Sequence, residues 1–216
     1  MAFHHSPRIV TDGLVLSLDA ADKNSYPGSG TTWTDLSGKG DDGVIYGATF
    51  STTDGGALTF DASDDYVTTG FGLNRNPSTN PFSVSCVVQS NSTASSRMFF
   101  APTSHGADRC YFATNGGYWR MGIQNSSWSG GNIVVTTDPT HITVVLDGSN
   151  ANMYVNGVYN YSKSYTSYTI PTVFNIGRGN GFYWGSNIFT THIYDKALSA
   201  KEVWQNFNAQ RSRFGV

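Results

Sequence analysis

The sequence predicts an all-β protein: an antiparallel two-sheet jelly-roll sandwich with one short C-terminal helix. Three observations predict it. Short apolar runs and period-two alternations recur along the chain, each bounded by Gly, Pro, Asn or Asp, the pattern of short strands joined by tight turns. No helical crossover separates these runs, so the strands must pair antiparallel. Charged residues make up 13% and aromatics 14%, against roughly 25% charge in an ordinary soluble domain. Such a surface is solvated by Ser, Thr, Asn and Gly, and its contacts are not steered by charge.

Taken in order, strands are expected at residues 14–18, 57–60, 66–69, 83–89, 97–100, 110–114, 119–123, 133–136, 173–176 and 188–194. Between the eighth and ninth of these lies HITVVLDGSNANMYVNGVYNYS. Asp147-Gly148 and Asn156-Gly157 there suit turns with positive φ, and Asn-Gly between Tyr154-Val155 and Val158-Tyr159 is a hairpin signal. The stretch reads as a three-stranded meander. The closing helix starts with a capping box: Ser199 as N-cap and Glu202 three residues on. Val203, Trp204 and Phe207 form one apolar face. A helix this short needs the sheet for support, and its aromatics are expected to plug one end of the sandwich. The 216 residues show neither repeat nor linker. The expected organisation is an N-terminal arm over 1–12, one domain over 13–208 and a basic tail over 209–216.

Several classes are excluded. A formal net charge of −2 without a basic stripe argues against nucleic acid as a partner. No window approaches the roughly 18 apolar residues of a membrane span, and MAFHHSPRIVTDG has no apolar core of a secretory signal. Cys86 and Cys110, inside apolar runs, read as buried free thiols. The five histidines are scattered, and His4 and His5, adjacent on an extended arm, point opposite ways.

Four segments carry a family likeness: GLVLSLDAADKNSYPGSGTTWTDLSGKGDDG, ALTFDASDDYV, ITVVLDGSNANMYVNGV, and FNIGRG leading into IYDKALSAKEVWQNFNAQRSRFG. Together they resemble a laminin-G-like, concanavalin A-like jelly roll, and leave residues 71–140 without a distinctive match. The first and last resemble structural proteins of tailed bacteriophages, cyanophages included. The resemblance implies a non-enzymatic virion protein of head or tail. It would be assembled in the host cytoplasm, in multiple copies or as a homo-oligomer among other virion proteins, with weak adhesion to a host-surface glycan. The alternative is a free-standing lectin-like carbohydrate-binding module. Glucan-cleaving enzymes of this sandwich class use two glutamates in an E-x-D-x-x-E strand, because glycoside hydrolysis needs paired carboxyls. Here Glu202 is the single glutamate, and the helix cap uses it. Asp61, Asp64, Asp65 and Asp147 sit where turns are expected.

The resemblance also implies a calcium site at the sandwich rim and no other cofactor. Candidate ligands are Asp35, Asp41 and Asp42 in DLSGKGDDG, with Asp19 on the first strand, since hard oxygen donors in a Gly-rich loop suit Ca²⁺. Asx-capped turns are the other reading of these residues. Where relatives carry acidic residues before the final Ile-Tyr, this chain has Asn187, Thr190, Thr191 and His192.

Candidate binding residues are aromatic. Tyr118 and Trp119 follow Asn115-Gly116-Gly117, Trp128 sits in NSSWSGGN, and Tyr183 and Trp184 sit in GRGNGFYWGS. Rings flanked by Gly, Ser and Asn suggest loop tips, where they stack on sugars or anchor protein contacts; covering the ends of the sandwich is the other reading. At the chain ends, Phe3, Arg211, Arg213 and Phe214 are the expected attachment anchors to neighbouring chains.

Overall fold

A computed structural model describes residues 8–72, 75–91, 96–103, 109–170 and 173–216. In chain order its strands are β1 (Leu14–Asp19), β2 (Thr32–Trp33), β3 (Gly43–Tyr46), β4 (Thr49–Ser51), β5 (Ala57–Asp61) and β6 (Tyr66–Gly72). There follow β7 (Phe82–Val88), β8 (Arg97–Pro102), β9 (Arg109–Asn115), β10 (Tyr118–Gln124), β11 (Ser126–Ser129) and β12 (Thr140–Leu146). The last are β13 (Asn150–Val155), β14 (Val158–Ser164), β15 (Val173–Ile176), β16 (Arg178–Gly179), β17 (Phe182–Tyr183) and β18 (Gly185–Tyr194), before helix α1 (Ala200–Phe214).

Two antiparallel sheets face each other. The first runs β14-β13-β12-β7-β18-β5-β4, with β1 alongside the far half of β18; the second runs β11-β10-β9-β8-β15-β6-β3-β2. The meander over 140–164 forms as expected. Residues 133–136 are not a strand: Val134 makes a single bridge to Tyr118. The two inner faces meet in one core, with Leu16, Val84, Ile142 and Ile193 from the first sheet against Val67, Phe112, Met121 and Phe174 from the second. Phe100 stacks between Phe112 (5.4 Å) and Phe174 (4.5 Å). Truncating such a ring costs roughly 3–5 kcal/mol. Cys86 and Cys110 are free and buried in this core. Desolvation pushes the Cys86 thiol up to about 12 and Cys110 further in the same direction, so neither forms a thiolate at neutral pH.

Helix α1 does not plug an end of the sandwich. It lies across the outer face of the first sheet. That placement explains why His141, Thr143 and Val145 of β12 are as buried as the inward-facing Ile142 and Val144 between them. The capping box is present in both directions, and Gly215 in the left-handed region ends the helix. Val203 packs with Val10, Val145, Tyr194 and Leu198, and Phe214 packs with Ala57, Val87 and Phe189.

Beneath the helix runs a buried polar row. Ser85 Oγ lies 3.0 Å from both His141 Nε2 and Thr143 Oγ1, and Ser17 Oγ is 3.2 Å from His192 Nδ1. Asn206 Nδ2 donates to the Tyr194 hydroxyl at 3.0 Å. Desolvation lowers both imidazoles, His141 to about 3 with repulsion from His192 adding to it, and His192 to about 4. Both rings are neutral at pH 7.

The expected tail over 209–216 is the last part of this helix. Its anchors turn inward. Arg213 donates to the Asp54 and Gly56 carbonyls and pairs with Asp19 at 2.8 Å, while the Phe214 ring lies 4.9 Å from Phe189. These two side chains bind their own domain, which corrects the expectation that they anchor other chains. Arg211 is exposed, and Phe3 lies outside the described residues. The arm over 8–12 packs inward at Val10 as well.

Candidate functional site

The outer face of the first sheet is covered by the helix. Among the described residues the outer face of the second is the more open one, covered in part where Phe182 and Trp128 pack on Met98, Ala101, Tyr111 and Ala113. Strand alternation decides which rings reach it. In β10, Trp119 shares its parity with Met121 and Ile123 and points into the core, whereas Tyr118 and Arg120 point out. Trp119 is 2% exposed and Trp184 0%. They pack at 6.4 Å from each other, with Phe99 edge-on to both. Neither is a loop-tip ring, and neither can meet a ligand without opening the sandwich. Tyr118, Trp128 and Tyr183 remain part-exposed.

These three join residues that the sequence reading passed over. β16 and β17 form a hairpin over the outer face of β8, turned by Asn180 at φ +47°. Its Gly179 lies so close that a Cβ would stand 2.4 Å from the Ala101 side chain, so any larger residue would lift the hairpin off the sheet. The hairpin carries Arg178, Phe182 and Tyr183. Phe182 meets Trp128 edge-on at 5.6 Å, and Trp128 meets Tyr111 at 5.4 Å. The Trp128 backbone N–H donates to the Tyr111 hydroxyl. Further across the sheet, paired residues Tyr46 of β3 and Tyr66 of β6 stack at 4.6 Å and 12°. The Arg178 guanidinium lies 4.7 Å from the Tyr66 ring and 5.6 Å from Tyr183. Arg120 covers Tyr118 at 4.8 Å. Tyr46 is 45% exposed and Val44 beside it 42%. The result is a row of rings, with two arginines among them, across one open sheet face.

The acidic residues are engaged elsewhere. Burial works to raise the Asp35 carboxyl, but donors from Ser37, Ser17 and Asp41 outweigh it and hold the group below the usual carboxylate range. It organises its loop through N–H groups. Asp42 accepts from the Asp35 backbone, and Asp19 is committed to Arg213. Burial, together with the nearby charges of Asp35 and Asp42, raises the Asp41 carboxyl. Yet no three of Asp19, Asp35, Asp41 and Asp42 bring carboxylate oxygens within 4.8 Å of one another, which corrects the calcium set expected for them. Among the described residues the acidic trio that could share an ion is Asp61, Asp64 and Asp65. There Asp61 caps its own turn by accepting from Ser63 and Asp64, and Asp65 accepts from Asp61. Glu202 is held by Lys196 and Ser199, and those bonds lower its carboxyl pKa.

A cavity of about 360 Å³ opens between the arm, β1, β18 and α1, lined by Arg8, Ser17, Asp19, His192 and Gln210 among others. His192 and Ser17 superficially suggest a nucleophile and its base. The ring is hydrogen-bonded to both Ser17 and Gln210, and the neighbouring Asp19 is paired with Arg213. That is a satisfied buried layer rather than a poised triad.

A sandwich closed on one outer face by a helix and open with aromatic rings on the other is a lectin-like β-sandwich module. The chain belongs to the concanavalin A-like lectin/glucanases superfamily, whose laminin-G-type model matches residues 61–204. No curated protein matches it in sequence. Similar folds occur in a sialidase of Trypanosoma rangeli (TM-score 0.71, 15% identity, 95% of this chain and 34% of that one). The binding domain of botulinum neurotoxin serotype G is also similar (0.68, 17%, 92% and 51%). So is domain 4 of AbnA, an extracellular arabinanase from Geobacillus stearothermophilus, solved with arabinotriose (0.62, 18%, 89% and 97%). The chain thus spans about a third of the sialidase's length. Among the described residues no helix is long and apolar enough to cross a membrane.

Proposed function

We propose that this chain is a non-catalytic carbohydrate-binding module that binds sugars on the open face of its second sheet. One observation carries the reading: the part-exposed rings of Tyr46, Tyr66 and Tyr183, with Phe182 meeting Trp128 over the buried Tyr111, on one sheet face that also holds Arg178 and Arg120. Sugars offer apolar C–H faces to such rings and hydroxyls to such neighbours. A whole-chain counterpart of this fold, the arabinanase domain, was solved with an arabinose trisaccharide. The engagement of Glu202 and the aspartates described above supports a binding role over hydrolysis, which needs two free facing carboxyls.

The setting we propose is the virion of a tailed phage, assembled in the host cytoplasm, with the chain in multiple copies beside other virion proteins and touching a host-surface glycan. The resemblance of the opening and closing segments alone supports this part. Copy number would matter, because weak single sites gain roughly 10²–10⁴ in avidity when many act together.

A glycan array on the intact chain tests the binding reading, with Tyr66→Ala and Trp128→Ala as variants. Each is expected to weaken the best ligand about tenfold, as for loss of an aromatic hot spot, with an unchanged circular dichroism spectrum. Absence of any glycan signal from the wild-type chain refutes it. Mass spectrometry of purified phage particles tests the setting.

A further inference from the structure

Among the described residues, the open face holds a guanidinium, that of Arg178, whose side-chain contacts are with aromatic rings. The Arg178 side chain makes no hydrogen bond or ion pair among the described residues, unlike that of Arg213 with its three partners. Arg120 is likewise committed to the Gly131 carbonyl and Arg109 to that of Asn125. Yet Arg178 is not a loose surface side chain. It is half-buried and lies against the rings of Tyr66 and Tyr183, on a hairpin seated tightly on β8.

Stacking on ring faces occupies the plane of a guanidinium and leaves its N–H edges free. That edge is a rigid fork that matches a carboxylate or sulfate bidentately, and ring contact fixes its orientation before any ligand arrives. The nearby acids do not neutralise it: Asp61 and Asp65 accept from backbone N–H groups of their own turn, and no carboxylate among the described residues reaches Arg178 within 4.0 Å. Three residues before Arg178, Asn175 pairs with Thr68 and Ala101 in the ladder of β15. It is 3% exposed, with its Oδ1 unpartnered. A buried acceptor without a partner among the described residues thus lies three residues along the chain from the guanidinium.

We infer that Arg178 is the specificity determinant of this face, and that it selects an anionic saccharide. The acid group of the sugar forks onto the guanidinium while the pyranose rests on the neighbouring tyrosine rings. This rests on the glycan-binding reading above and narrows it to one ligand class.

Calorimetric titration of the intact chain tests it, with tetragalacturonate, its methyl ester and a sulfated galactan tetrasaccharide as probes. The wild-type chain is expected to prefer one of the two anionic probes over the uncharged ester by about tenfold or more, the range for charge-assisted bonds. Carboxylate and sulfate arms identify which acid the site takes. Arg178→Gln is expected to abolish the preference while leaving residual binding of the ester, and Arg178→Lys to restore little of it, because an ammonium cannot fork. Equal binding of acid and ester, or a preference that survives Arg178→Gln, overturns the inference and leaves glycan binding standing. If neutral glycans bind on an array and no anionic probe does, the inference alone falls. If no saccharide binds at all, both fall.

Discussion

Acidification should loosen the helix from its sheet before it disturbs the rest of the molecule. The perturbation is the charging of His141 and His192 beneath α1. An imidazole in the unfolded chain titrates near 6.5; in the fold the two titrate at about 3 and about 4. A base whose folded pKa is depressed takes its proton more readily when unfolded. Stability is therefore full above about pH 6.5 and falls as pH drops towards the folded values. At pH 5 linkage gives a loss of about 2 kcal/mol per ring, or about 4 kcal/mol together. A typical margin is only about 5–15 kcal/mol.

The surroundings offer little relief. Among the described residues His141 Nδ1 has no hydrogen-bond partner, and its ring faces Ser85, Phe207 and the second histidine. His192 faces Ser17, Gln210, the favourable charge of Asp19 and the unfavourable charge of Arg213. Asp35, Asp147 and Glu202, all held below the usual carboxylate range, lose their contributions only at lower pH. Asp41 and Asp65 sit above it and oppose the trend weakly. Urea unfolding at pH 7.5 and 5.0 measures the difference, with His141→Gln and His192→Gln each expected to halve it. A wild-type stability that changes by less than about 1 kcal/mol between the two conditions would refute the reasoning.

Three further outcomes are expected. Glu202→Ala removes the capping box and one partner of Lys196, so chemical denaturation should show a loss of about 0.5–2 kcal/mol with glycan binding unchanged. Phe214→Ala empties the pocket formed by Ala57, Val87 and Phe189 and should cost about 3 kcal/mol, read as a lower melting temperature. Gly122→Ala places a Cβ 2.2 Å from the Tyr111 ring; calorimetry should show about 1–3 kcal/mol of lost stability, and binding should weaken as Tyr111 shifts under Trp128.

Most of the fold was legible because its longer strands carry either a short apolar run, as in β7 and β12, or a period-two alternation, as in β13. The expected hairpin turn is present, with Asn156 at φ +49°. The short strands β2, β3 and β4 were missed because Gly and Asp dominate the residues around them, and two to four residues carry no period. The helix cap was legible, but its extent was not. Beyond Phe207, residues 208–213 read as largely polar, and Asn206 just before it is fully buried, bonding Tyr194 and the Val10 N–H. For the site, flanking Gly and Ser misled the reading of Trp119, when its shared parity with Met121 and Ile123 already placed it inside. Asn180-Gly181 was a usable hairpin signal, and following it would have exposed Arg178 and Phe182. The Tyr46–Tyr66 stack depends on pairing between β3 and β6 across an intervening strand pair, which no local pattern encodes.

The clasp between arm and helix also sets how the molecule meets tension. The Val10 N–H bonds Asn206 at 2.8 Å, and Gln205 bonds the Arg8 carbonyl at 2.9 Å. Behind this clasp, Leu14 at the start of β1 sits opposite Tyr194 at the end of β18. Load applied through the arm and the helix therefore reaches the same end of one antiparallel pair. Such a pair opens like a zipper, one rung at a time, instead of resisting as a block in shear. A pulled copy should let go of its arm and first strand at low force while the ladder of β7, β12 and β13, outside the direct line of load, stays closed. The molecule would then lengthen under strain with its ring-bearing sheet still assembled.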